Sequence, residues 1–135
     1  MRIIGLGNDL VDIRRIEKAI ERHDERFIAR VFTENEIEYC NSKGNKVANF
    51  AKRFAAKEAC AKALGTGIAE GIFWKDMVVI NDEFGKPSMM LTGGALERLQ
   101  MLVPSNMKSQ IDLTITDEHP LAQAIVIISA MGEDD

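Results

Sequence analysis

The chain has 135 residues, a formal net charge of −4, 46% hydrophobic residues and 28% charged residues. That length suits one compact domain with a modest core, the composition excludes a disordered chain, and the acidic balance argues against broad electrostatic binding of nucleic acid. The charge is unevenly spread, because Arg14, Arg15, Lys18, Arg22, Arg26 and Arg30 make the first third basic while Glu133, Asp134 and Asp135 close the chain with acid. A basic stretch in an acidic protein marks either an acidic partner or a solvated helix face.

Along the chain, Arg2 to Asn8 reads as a short buried strand with Gly5 and Gly7 on one side. A helix is expected from Leu10 to Arg22 on the spacing of Ile13, Ile16 and Ile20, and a shorter helical piece from Arg26 to Val31. Thr33 followed by Glu36 forms a capping box, so a third helix starts there and fades near Ser42 to Gly44. Asn49 to Leu64 is a long central helix stopped by Gly65. Met77 to Asn81 and Ser88 to Leu91 read as a hairpin around the turn Glu83-Phe84-Gly85-Lys86-Pro87, followed by a helix from Thr92 to Met101. Gln110 to Thr116 alternates as a half-buried strand does, and Ala122 to Ala130 is a last, apolar strand. The order implies an α+β domain, mainly antiparallel sheet packed with helices, over residues 1–135.

Cys40 and Cys60 lack metal-site or redox-motif spacing and read as free thiols of a reducing compartment. No apolar run is long enough for a signal peptide or a bilayer span, so a cytoplasmic protein without membrane contact is expected.

The densest chemistry lies in Arg53 to Gly67. Glu58 and Lys62, four residues apart, share one helix face, as do Arg53 and Lys57. The small residues around them suit a close-packed cleft, although an exposed ion pair is the plainer reading. Lys57 falls on the apolar stripe of Phe50, Phe54, Ala61 and Leu64, where its charge must find a partner or reach out of the core. Asp9 follows a strand with two glycines and reads either as a helix N-cap or as a metal- or phosphate-site carboxylate, with Gly7 allowing close backbone approach. Asp9 and Glu58 together would suit magnesium, which takes one or two carboxylates and fills its shell with water and substrate phosphates. No His/Cys cluster for zinc exists, His23 and His119 are isolated, and the P-loop and GxGxxG patterns are absent. Gly65-Thr66-Gly67 reads as a phosphate-cradling turn or, more commonly, as a helix C-cap.

Ile4 to Ile16, in the form IGLGNDLVDIRRI, together with RFAAKEACAKALGTG from Arg53 to Gly67, resembles the holo-[acyl-carrier-protein] synthases. These are the small, single-domain branch of the 4′-phosphopantetheinyl transferases. Both motifs stand in the family's order and separation, with weaker matches at Gly85-Lys86-Pro87 and at the strand ending in Thr116. The resemblance implies transfer of 4′-phosphopantetheine from coenzyme A to a serine of apo-acyl carrier protein, with adenosine 3′,5′-bisphosphate leaving, in support of fatty acid biosynthesis. It implies Asp9 and Glu58 as Mg2+ ligands and Lys62 as the cation at the transferring diphosphate. It further implies Arg53, Gly65, Thr66, Gly67 and Lys86 around coenzyme A, and Arg14, Arg15 and Arg22 as the docking face for acidic acyl carrier protein. A homotrimer with sites between subunits is also implied. Many relatives carry a histidine directly after the Ser/Thr-Ile-Thr strand, where this chain has Asp117. The proton acceptor implied is then Glu58, through a metal-bound water, or Asp117. Two other readings stay open: a coenzyme A-binding subunit without turnover, and an interaction domain that uses the basic helix alone.

Overall fold

A computed structural model describes the whole chain, Met1 to Asp135. Its elements run β1 (Arg2–Asp12), α1 (Ile13–His23), α2 (Glu25–Val31), α3 (Glu34–Ser42), α4 (Lys46–Ala63), a 3-10 turn (Trp74–Asp76), β2 (Met77–Asn81), β3 (Pro87–Leu91), α5 (Gly93–Leu102), β4 (Lys108–Glu118) and β5 (Leu121–Met131). The apolar strand β5 takes the centre of an antiparallel sheet of order β1-β5-β4, and β2 with β3 forms a separate hairpin. On one sheet face Ala122, Ala124, Val126 and Ile128 are buried, because α4 lies across it. The alternation expected of β4 places Ile111, Leu113 and Ile115 on that same side, against the core.

The boundary between the first strand and the first helix differs from expectation, and α4 and β4 also start earlier than expected. The first strand continues to Asp12, and the helix expected from Leu10 begins at Ile13. The ladder to β5 is the reason: it pairs residue by residue as far as Asp12 with Leu121, and the Ile13 N–H donates to the Pro120 carbonyl at 2.7 Å. Strand pairing thus outweighs the isoleucine spacing. Asp9 is consequently no helix cap. Asp12 fills that role, accepting from the Arg14 N–H at 2.9 Å. Nor is β1 buried on both faces. It is an edge strand with an open outer face, where Leu6 and Leu10 are 65% and 57% exposed.

The closeness of α4 to the sheet explains the small residues. Ala55, Ala56, Ala59 and Ala61 are fully buried along the helix. Opposite them, a Cβ at Gly7 would overlap the Ala59 carbonyl, and one at Gly5 the Ala63 carbonyl. Gly7 therefore admits the backbone of α4 rather than a ligand. Small side chains on both surfaces bring the helix axis near the strands, which places anything on the helix beside anything on β1.

Lys57 has its partner in this interior. Lys57 and Glu36 are 0% and 1% exposed, and the ammonium lies 2.7 Å from Glu36 Oε1. The same Oε1 accepts from the Thr33 N–H at 3.0 Å, completing the capping box, while Oε2 accepts from the Val79 N–H at 3.0 Å. Lys57 also donates to the Trp74 carbonyl at 3.1 Å. Burial holds the Lys57 ammonium below its usual range, and the Glu36 carboxylate opposes that effect. Breaking one side of such a pair strands a buried charge, so Lys57→Met or Glu36→Gln should each cost about 3–5 kcal/mol by chemical denaturation. The double variant should cost clearly less than the sum of the two. Simple additivity would show that the two charges do not depend on each other.

Candidate active site

The close approach of α4 to β1 brings three of the expected residues together. Asp9 sits on the inner face of β1, in alternation with Gly7 and Val11, opposite Ala124 of β5. Lys62, on the last turn of α4, donates to Asp9 Oδ1 and to the Asn8 carbonyl, both at 3.0 Å. Glu58 stands one turn earlier. It does not pair with Lys62 across the helix face as the spacing suggests, because Lys62 reaches over to the strand instead. Burial, and next the negative charge of Asp9, raise the Glu58 carboxyl above its usual range, with Lys62 and Arg15 opposing. Two neighbouring carboxylates with one lysine form an oxygen donor set that suits a hard divalent cation. No group of three or more His, Cys, Asp or Glu side chains gathers anywhere, so further ligands for such an ion would come from water and substrate.

Arg53 belongs to a different cleft. Its side chain is 4% exposed, its guanidinium lies 4.1 Å from the Tyr39 ring centroid, and one terminal nitrogen donates to Asn81 Oδ1. Its Nε has no partner. Tyr39, Asn49, Lys52, Asn81 and Asp117 line the same cleft, where Lys52 stands 3.9 Å from Asp117. Asp117 is thereby grouped with Arg53 and not with the Asp9–Glu58 pair. Lys86 sits exposed in the hairpin turn beside this cleft, its N–H donating to Asp82 Oδ1 at 2.9 Å. Tyr39 and Asn81 were not singled out from the sequence. An aromatic on α3 and an amide at a strand end carry no spacing signal, and only the fold sets them against Arg53.

Gly65, Thr66 and Gly67 form the helix C-cap and not an amide cradle. The Gly65 N–H donates to the Lys62 carbonyl at 2.9 Å, and those of Thr66 and Gly67 to the Ala61 carbonyl at 3.3 and 3.1 Å. Gly65 adopts φ +84°, the left-handed conformation this cap requires. Their backbone donors are therefore spent on α4, and the segment can offer a ligand only its surface.

The basic helix divides into two. Arg14 folds back onto Asp12, with contacts of 3.0 and 2.6 Å from Nε and Nη2, and its guanidinium holds the Asp12 carboxyl down to about 2. Arg15, Lys18 and Arg22 instead border a cleft floored by Ile16, Phe27 and Phe54. Phe54 stacks on Trp74 with centroids 4.9 Å apart. Arg15 of this rim is one of the cations that oppose the rise of the Glu58 carboxyl.

A two-stranded hairpin stands apart from a sheet crossed by α4, and the carboxylate pair lies where α4 meets β1. The chain belongs to the 4′-phosphopantetheinyl transferase superfamily, whose pattern matches residues 5–123. It is 61% identical over 130 residues to the holo-[acyl-carrier-protein] synthase of Chelativorans sp., covering 96% of this chain and 98% of that one. The Brucella ovis holo-[acyl-carrier-protein] synthase is 60% identical over 129 residues, 96% of each chain. Among solved structures, the holo-[acyl-carrier-protein] synthase of Neisseria meningitidis superposes with a TM-score of 0.81 at 33% identity, over 94% of this chain and 98% of that one. The Helicobacter pylori enzyme, determined in complex with coenzyme A, gives 0.79 at 30% identity, over 92% and 99%. The chain is thus an enzyme of the phosphopantetheinyl transferase class, and its α+β fold is that of these synthases.

Proposed function

We propose that this protein binds coenzyme A with Mg2+ and transfers its 4′-phosphopantetheine to a serine of apo-acyl carrier protein. The observation that carries the residue assignment is the meeting of Asp9, Glu58 and Lys62 from two distant motifs at one seam. Asp9 and Glu58 would hold the magnesium ion, which supplies charge neutralisation at the diphosphate. The serine oxygen attacks the β-phosphorus, the bond to the bridging oxygen breaks, and adenosine 3′,5′-bisphosphate departs with that oxygen and its electron pair. Lys62, half-exposed at the end of α4, is placed to meet charge that develops on the diphosphate. Glu58, on the α4 side of the carboxylate pair, would take the serine proton through a water. Asp117 lies with Lys52 in the Arg53 cleft and takes no part in that step. Arg53, with its unpartnered Nε, and Lys86 contribute to the nucleotide end of coenzyme A, and Gly65, Thr66 and Gly67 form a wall of its site.

The acyl carrier protein is received on the α1 face. An acidic partner with an apolar ridge complements the Arg15, Lys18 and Arg22 rim and the Phe27 and Phe54 floor. Arg14 adds to this face once the partner's carboxylates compete with Asp12 for its guanidinium. A cytoplasmic location belongs to the same reading. No helix is long and apolar enough to cross a membrane, and Cys40 and Cys60 are both free.

Homotrimer assembly is the third part of the proposal. The outer sheet face carries Leu6, Leu10, Ile125 and Ile127 with no layer over them, an apolar surface suited to neighbouring copies.

Incubation with coenzyme A, Mg2+ and apo-acyl carrier protein should add the phosphopantetheine mass to the carrier. No gain at high enzyme concentration would refute transfer and leave a binding subunit or an interaction domain. Asp9→Ala and Glu58→Ala should each slow transfer by about 100-fold or more, the scale of losing one positioned charge-stabilising group. An unimpaired variant would remove that residue from the site. Light scattering should give three times the chain mass, and Leu6→Lys should shift it toward the monomer. A monomeric wild type would overturn the trimer.

A further inference from the structure

The segment between α4 and β2, residues 64–76, connects the end of the catalytic helix to the hairpin. It is pinned at its start, middle and end by one element that contributes nothing to the carboxylate site, helix α5. At the start, Arg98 Nε donates to the Leu64 carbonyl at 2.9 Å. Leu64 is fully buried, and Arg98 is the one donor its oxygen has. A second guanidinium nitrogen lies against Gly65, 3.4 Å from where a Cβ would stand. In the middle, Gly94 packs so closely on the Gly71 carbonyl that a Cβ there would overlap it. At the end, the Thr92 N–H donates to the Asp76 carbonyl at 2.8 Å, and the Asp76 carboxylate abuts Gly93.

Of these anchors, only Arg98 is a charged side chain reaching across from another element. A helix leaves its last four carbonyls without helical donors. In α4 the Gly65, Thr66 and Gly67 amides satisfy those of Ala61 and Lys62, while the Leu64 carbonyl depends on Arg98. A guanidinium there also meets the negative end of the helix dipole. Along the chain Lys62 precedes this anchor and Gly65 to Gly67 follow it, and the next residues, Ile68 to Lys75, line a cleft of about 510 Å³ with Ala29 and Arg30.

We propose that Arg98 is a positioning residue for the transfer reaction: by closing the C-terminus of α4 at Leu64 it holds the Gly65–Gly67 segment in the shape that coenzyme A meets. This rests on the reading of the protein as a coenzyme A-dependent transferase. It adds a residue that touches neither the carboxylates nor the substrate. Without the guanidinium, the buried Leu64 oxygen loses its partner and the turn must open to water to regain one.

The test compares wild type, Arg98→Leu and Arg98→Lys in three measurements: transfer kinetics, calorimetric binding of coenzyme A, and hydrogen exchange. For Arg98→Leu the KM and Kd for coenzyme A should rise about tenfold, which corresponds to about 1.4 kcal/mol, while kcat stays within about twofold. The Gly65, Thr66 and Gly67 amides should exchange faster, with those of β5 unchanged. Arg98→Lys, which keeps a cationic donor, should recover most of the affinity. A lowered Tm with KM, Kd and local exchange as in wild type would overturn the proposal and leave Arg98 a stability residue. Equal losses in the lysine and leucine variants would overturn it too. If Arg98→Leu does not fold, Arg98→Lys and Arg98→Gln decide by the same readouts. A wild type that binds coenzyme A without transferring it refutes the transferase reading alone, since the binding and exchange arms still judge Arg98.

Discussion

The buried contact between Lys57 and Glu36 is the constraint on which the helical half depends. Four groups converge on one carboxylate: the Lys57 ammonium, the Thr33 backbone and hydroxyl, and the Val79 N–H. Through them α3, α4 and β2 are fixed to one another, and the Trp74 carbonyl on Lys57 adds the 3-10 turn. A charge fully removed from water is tolerated only when every lone pair and proton finds a partner, so these elements cannot shift independently. Glu58 follows Lys57 directly. The lysine that anchors the helix in the core sets the height and rotation at which the next residue leaves it.

Against that anchor, the sheet contributes proximity. Glycines on β1 and alanines on α4 replace side-chain volume with backbone contact, and this is why a strand carboxylate and a helix carboxylate can share a site. The same contact lets Lys62 reach Asp9 and the Asn8 carbonyl. The cluster is electrostatically uneven: Asp9 is matched by a cation, and Glu58 is left with raised proton affinity. An arrangement with one carboxylate in surplus suits a cation rather than an apolar ligand.

Charge is also partitioned along α1. Arg14 serves the N-cap of its own helix, whereas Arg15 and Arg22 face the cleft over Phe27 and Phe54. The outer sheet face carries an apolar patch of Leu6, Leu10, Ile125 and Ile127, whereas the rim of the α1 cleft is cationic, so the protein presents two surfaces of different chemistry.

What could be read from sequence was whatever local chemistry expresses. The Thr33–Glu36 capping box, the glycine stop at Gly65, the alternation of β4 and the apolar run of β5 each depend on neighbours in the chain, and each appears in the structure. The pairing of two motifs, with Asp9 in one and Glu58 in the other, carried the family. Tertiary structure decided the rest, because pairing and burial act across the chain. It extended β1 past the expected helix start and moved the cap from Asp9 to Asp12. It gave Lys62 to Asp9 rather than to Glu58, and Glu36 to Lys57. It also set Arg98 on Leu64, 34 positions away, a contact with no trace in spacing or composition. The sequence determined which groups the protein would use; only the packing of α4 on the sheet determined which of them would meet.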